Sequence, residues 1–122
     1  MFAKKKISLE NLLVELSTAK KTFESEQQFL NDAEDKYLSA HIDYLRYKHA
    51  YEASLLAYTR YGGSDHAERE RSSRALYLNA SKKFDTATSN YNEAKKRAKK
   101  AKRIYRKLQK LVSQKEDYQL GL

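Results

Sequence analysis

The chain has no cysteine, no proline and no tryptophan, and only three glycines in 122 residues. Without cysteine there can be no disulfide scaffold, no thiolate zinc site and no thiol nucleophile. Without proline, and with so little glycine, it lacks the turn chemistry that an all-β or α/β chain of this length needs. No apolar run approaches the roughly 20 residues of a membrane-spanning helix. The N-terminal Met1-Phe2-Ala3-Lys4-Lys5-Lys6 carries charge with no apolar segment behind it. A cleaved signal peptide is therefore not expected, and a cytoplasmic location is. A Gly-rich phosphate loop, a nucleophile elbow and a paired metal motif are all missing. His41 and His49 stand eight residues apart without a third ligand at helical spacing, so no metal and no cofactor are expected.

What the chain does have is a repeat of seven. Stepping by seven from Leu9 gives Leu16, Phe23, Leu30, Tyr37, Tyr44, Tyr51 and Tyr58, all large and apolar or aromatic. Three residues after each come Leu12, Ala19, Glu26, Ala33, Ala40, Tyr47, Ser54 and Tyr61. This is an a/d heptad seam with small residues at many d positions, and Glu26 is its only charged member. A second seam runs Tyr77, Phe84, Tyr91, Ala98, Tyr105 and Val112, with Ala80, Ala87, Ala94, Ala101, Leu108 and Lys115 three residues on. The tyrosine column of the seam is read mainly as core, because each ring buries a large area while its hydroxyl reaches the wet edge of a thin seam; the alternative is a set of stacking platforms for bases.

Between the seams lies Tyr61-Gly62-Gly63-Ser64-Asp65. Two glycines can take the positive φ that ends a helix, and Ser64 or Asp65 can cap the next one. Ser8 is placed to cap the first. The sequence thus predicts an all-α fold: a long antiparallel two-helix coiled-coil hairpin, able to dimerise into a four-helix bundle. It forms a single domain over 1–122, with helix 1 at about 8–60, the turn at 61–65 and helix 2 at about 66–118. With the turn centred near residue 63, Tyr51 is expected near Ala75, Tyr44 near Lys82 and Leu16 near Lys110, with rings lying over alanines. Leu9, Leu12, Leu13 and Leu16 are expected to lock the open end against Ile104, Tyr105, Leu108, Leu111 and Val112.

A simple hairpin leaves one stripe uncovered. Leu38, Ile42, Leu45 and Leu56 lie on the side of helix 1 away from the seam, at i, i+4 and i+7 spacing for the first three. They are the candidate oligomer interface, and a homo-oligomer is expected.

Charge is divided unequally. Residues 1–60 hold nine basic and nine acidic side chains, whereas 61–122 hold sixteen and seven, so the net charge of +9 sits in the second half. Within it, 95–110 holds ten cations and no acid: Lys95, Lys96, Arg97, Lys99, Lys100, Lys102, Arg103, Arg106, Lys107 and Lys110. Glu24, Glu26, Asp32, Glu34 and Asp35 could pair with Lys96, Lys99, Lys100 or Arg103, which leaves an excess of about five cations. The excess suits a nucleic acid backbone or an acidic protein surface, and lysine outnumbering arginine favours contact without base reading. A membrane role is not expected, because the face opposite the cations is the internal seam.

Near the turn, Asp65, Glu68 and Glu70 are interleaved with Arg69, Arg71 and Arg74. Capping and ion pairing account for them, and a two-helix hairpin offers no deep pocket for a substrate. The expected function is a non-enzymatic binding protein, an adaptor or inhibitor, with no small-molecule substrate. The alternative is a structural stalk or rod whose tip engages a larger machine. In shape, though in no motif, the predicted hairpin is similar to the stalk proteins of flagellar and type III export ATPases. It is similar also to small phage- and plasmid-encoded helical proteins that block or recruit host machinery.

Overall fold

A computed structural model describes residues 8–121. The Lys4–Lys6 run, on which the reading of the N-terminus rests, lies outside the described residues. Two helices, α1 (Leu9–Tyr61) and α2 (Ser64–Gln119), pack against each other as a helical hairpin. There is no strand among the described residues. Helices of 53 and 56 residues are far longer than propensity alone requires, and their paired seams supply the tertiary packing that sustains them.

Ser8 opens α1 as expected. Its Oγ accepts the Asn11 N–H at 3.2 Å and its carbonyl accepts the Leu12 N–H at 3.0 Å. A cap of this kind contributes about 1 kcal/mol. The link is tighter than the sequence suggested. Only Gly62 and Gly63 lie between the helices, at φ +64° and +88°, values that favour glycine. The Gly62 N–H donates to the Tyr58 carbonyl at 2.8 Å, and the Gly63 carbonyl accepts the Ala67 N–H at 3.0 Å. Gly63 therefore holds the cap position expected of Ser64 or Asp65. Asp65 instead lies inside the first turn of α2, where its charge complements the helix dipole.

Packing divides the chain into two compact units. One is Asn31–Glu93; the other joins residues up to Leu30 with those from Ala94 on. In the first, here the turn unit, aromatic rings from the two helices alternate. Tyr51 meets Tyr77 (5.5 Å between centroids), Tyr77 meets Tyr44 (5.6 Å), Tyr44 meets Phe84 (5.2 Å), Phe84 meets Tyr37 (5.5 Å) and Tyr37 meets Tyr91 (5.0 Å). His41 stacks on Phe84 at 5.0 Å. These rings are half-buried, and the buried floor beside them is Ala33 and Ala80. The second, terminal unit has one interhelical ring pair of this kind in view, Phe23 and Tyr105 at 5.7 Å. Its buried residues are Leu12, Ala19, Ala94, Ala98, Ala101 and Val112.

The expected register of rings over alanines is corrected by this arrangement. Ring partners have residue numbers that add to 128 or 121, not to about 126. Tyr37, Tyr44, Tyr77 and Phe84 each sit between two rings of the other helix, because here a positions of one helix meet a positions of the other. The seam also reaches further toward the turn than Tyr77. Glu70, one heptad earlier, is buried, with Oε1 3.6 Å from Arg74 Nε.

Candidate anion-binding face

Residues 95–110 form roughly four turns of α2. Ala98 and Ala101 are buried against α1, and Tyr105 and Leu108 are half-buried. Those four a and d positions hold the helix to its partner and turn every other position outward. All ten cations of this stretch, Lys95 to Lys110, are exposed. The alanines matter here, since a narrow seam leaves little room for a lysine stem to hide in the core.

Arg97 is engaged within the protein. Arg97 donates from Nη2 to Glu26 Oε1 at 2.8 Å, and its guanidinium carbon lies 4.8 Å from the centroid of the Phe29 ring. The Glu26 side chain is only 17% exposed, and its buried Oε2 has no hydrogen-bond partner. The sequence placed Glu26 on the seam and expected it to meet a cation of α2. The cation is Arg97, however, and not Lys96, Lys99, Lys100 or Arg103. Arg97 sits at a g position flanking the d-position seam, where its long planar fork reaches a buried carboxylate.

A feature that the sequence reading missed lies on the same unit. Val14, Thr18 and Thr22 of α1 and Ile104 and Leu108 of α2 wall a groove of about 380 Å³ over Ala19 and Ala101, with Glu15 at its α1 edge. The two alanines are buried, whereas Val14 is 66% and Ile104 47% exposed. The Thr18 hydroxyl donates to the Val14 carbonyl at 3.1 Å, a bond within α1 that satisfies it locally. Ile104 and Leu111, expected to lock the open end, are exposed, as is Leu13. They occupy g and e positions outside the a/d seam, and small facing d residues open a channel beside them. Apolar residues at g with alanine at d were the available sequence signal.

In the turn unit, Leu38, Ile42, Leu45 and Leu56 are between 38% and 57% exposed, so α2 does not cover the stripe. Tyr61, at the end of α1, is exposed with its ring 5.8 Å from that of His66. Among the described residues, no group of three or more His, Asp or Glu side chains is placed to hold a metal ion. None of the described helices is long and apolar enough to cross a membrane. The chain matches no protein-family model, no curated protein and no solved structure, so its own surface chemistry is what a functional reading must rest on.

Proposed function

We propose that the protein is a non-enzymatic binding protein, an adaptor or inhibitor, that presents the 95–110 face of α2 to an anionic partner. The observation that carries this reading is the exposure of ten cations along four turns that contain no acid. Such a face has a strong positive potential, draws anions at long range and loses that attraction as salt rises. Its partner is a nucleic acid backbone or an acidic protein surface. Self-association through Leu38, Ile42, Leu45 and Leu56 belongs to the same reading, because the stripe is apolar, exposed and regularly spaced.

The test is fluorescence anisotropy of a labelled DNA duplex and of a labelled glutamate-rich peptide, each across a salt series. At least one should bind at low ionic strength. For a duplex, a log–log salt slope of about −4 to −6 corresponds to roughly five or six neutralised phosphates. Changing Lys99, Lys100, Arg103 and Arg106 together to Glu should abolish binding while the helical circular-dichroism signal is kept. If neither probe binds at low salt, the proposal fails.

A second reading, a stalk whose tip engages a larger assembly, draws on the exposed Tyr61 ring beside His66 at the turn. Substitution of Asp65, Glu68 and Arg71 separates the two. It should leave anion binding intact and abolish function only for a stalk.

A further inference from the structure

We infer that the anionic partner is an acidic amphipathic helix of another protein, docked in the groove between Val14 and Ile104 with its acidic flank against α2. This inference rests on the basic face proposed above and narrows what that face recognises.

Three features of the terminal unit converge on it. The groove floor is made of alanines, Ala19 and Ala101, so a side chain from outside can descend between the helices. Its α2 wall is apolar and exposed at Ile104, and Val14 adds an exposed apolar group to the α1 wall beside Thr18 and Thr22. Its α2 rim is cationic. Lys100 and Lys107 stand four residues before and three after Ile104, the spacings that make helix neighbours. Leu111 continues the apolar row one heptad beyond Ile104 and is also exposed.

A phosphate backbone answers only part of this surface. It can neutralise the lysines, but it has no apolar group to cover Val14, Ile104 and Leu111. An amphipathic helix answers both parts. Leucines at i, i+3 or i+4, and i+7 fill a groove of this kind, and carboxylates along one edge meet Lys100 and Lys107. The α1 edge has the opposite character: Glu15 lines it with Thr18 and Thr22 and repels a carboxylate. The acidic edge of the ligand is thereby directed to one side, which fixes which way round the helix lies.

The experiment uses the full chain and three labelled probes. The first is a designed peptide of roughly 20 residues with leucines on one face and glutamates on an adjoining flank. The second has the same composition, shuffled so that the leucines no longer share a face. The third is a DNA duplex. The amphipathic peptide should bind and gain helicity, and the shuffled one should bind at least tenfold more weakly. Ile104→Ser should weaken the amphipathic peptide about tenfold and leave duplex affinity unchanged. Val14→Ser, on the other wall, should do the same, and melting curves establish that both variants are folded. Lys100→Glu with Lys107→Glu should weaken every probe.

If the shuffled peptide binds equally well, or both wall variants bind normally, the groove is not the site. The inference then falls while the basic face stands. Binding of the duplex alone has the same meaning. If no probe binds at low salt, the basic face falls as well. If sedimentation shows that the unliganded chain self-associates and Ile104→Ser makes it monomeric, the occupant is a second copy and the inference is overturned.

Discussion

Tyr44 lies between two rings of the opposite helix, Tyr77 and Phe84, and so carries two links of the aromatic series. Aromatic pairs contribute roughly 0.5–1.5 kcal/mol each beyond the area they bury. Tyr44→Ala should therefore cost at least about 1–3 kcal/mol, read as a lowered midpoint in urea, and the same change at exposed Tyr118 should cost far less. Equal effects at the two positions would remove the ring series from the account of stability. The Tyr44 and Tyr77 hydroxyl oxygens are 3.4 Å apart, which is long for such a bond. The contact nonetheless holds Tyr77 above its ordinary value of 10.0, chiefly through the hydrogen bond to Tyr44 and then through burial. A raised value means that the fold favours the neutral phenol. The associated stability is fully present below pH 10 and is lost as pH rises through the higher folded value. Tyr44→Phe removes the bond. It should move one tyrosine titration, followed by ultraviolet difference absorbance, back toward 10.0. An unchanged titration would show that the two hydroxyls do not interact.

At the scale of the helix, much was legible in the sequence and some was not, for reasons that can be named. The columns of seven from Leu9 and Tyr77 marked the faces turned to the partner helix, because burial in a paired helix follows the heptad directly, but the α1 column ends before Tyr58 and Tyr61, which are exposed. Gly62 and Gly63 marked the link, because few residues other than glycine take their φ values. The register was not legible. The pattern says which residues face the partner helix, but the offset is set by how far the turn extends, and Gly63 caps α2 two residues earlier than Asp65 would. The pairing of Glu26 with Arg97, and not with a neighbouring lysine, follows from that offset and from the reach of one side chain. The groove was missed because Ile104 and Leu111 were counted with the seam although their spacing puts them beside it. The stripe on the back of α1 was read correctly as uncovered. If it is an interface, Leu38→Glu with Leu45→Glu should lower the mass measured by sedimentation and leave helicity unchanged. A wild-type chain that is already monomeric at high concentration would contradict that role.

For the whole molecule the dominant fact is that one helix carries the entire net charge of +9. Within 95–110, Lys95 and Lys99, Lys96 and Lys100, Lys99 and Arg103, Lys102 and Arg106, Arg103 and Lys107, and Arg106 and Lys110 are all i, i+4 neighbours of like sign. Each such pair destabilises a helix by roughly 0.2–0.5 kcal/mol, so together they cost about 1–3 kcal/mol. The interhelical pair Arg97–Glu26 acts the other way, but its Arg is half exposed and one such pair contributes about 1 kcal/mol or less. Salt weakens both effects, since the screening length falls to about 10 Å at 0.1 M. Repulsion is the larger, so the melting temperature should rise as sodium chloride is added from low ionic strength. An anion that binds the folded face should raise it further, by an amount that grows with its concentration above the dissociation constant. At low salt a polyanion should therefore stabilise the chain more than an equal concentration of charge added as simple salt, and excess salt should abolish the difference. The charge-reversed variant at Lys99, Lys100, Arg103 and Arg106 breaks most of the repulsive pairs and should melt higher than the wild type at low salt, with little gain from either addition. A melting temperature that falls with salt in the wild type would mean that attraction outweighs repulsion along α2, and that the cations are placed to hold the hairpin together and not to meet a partner.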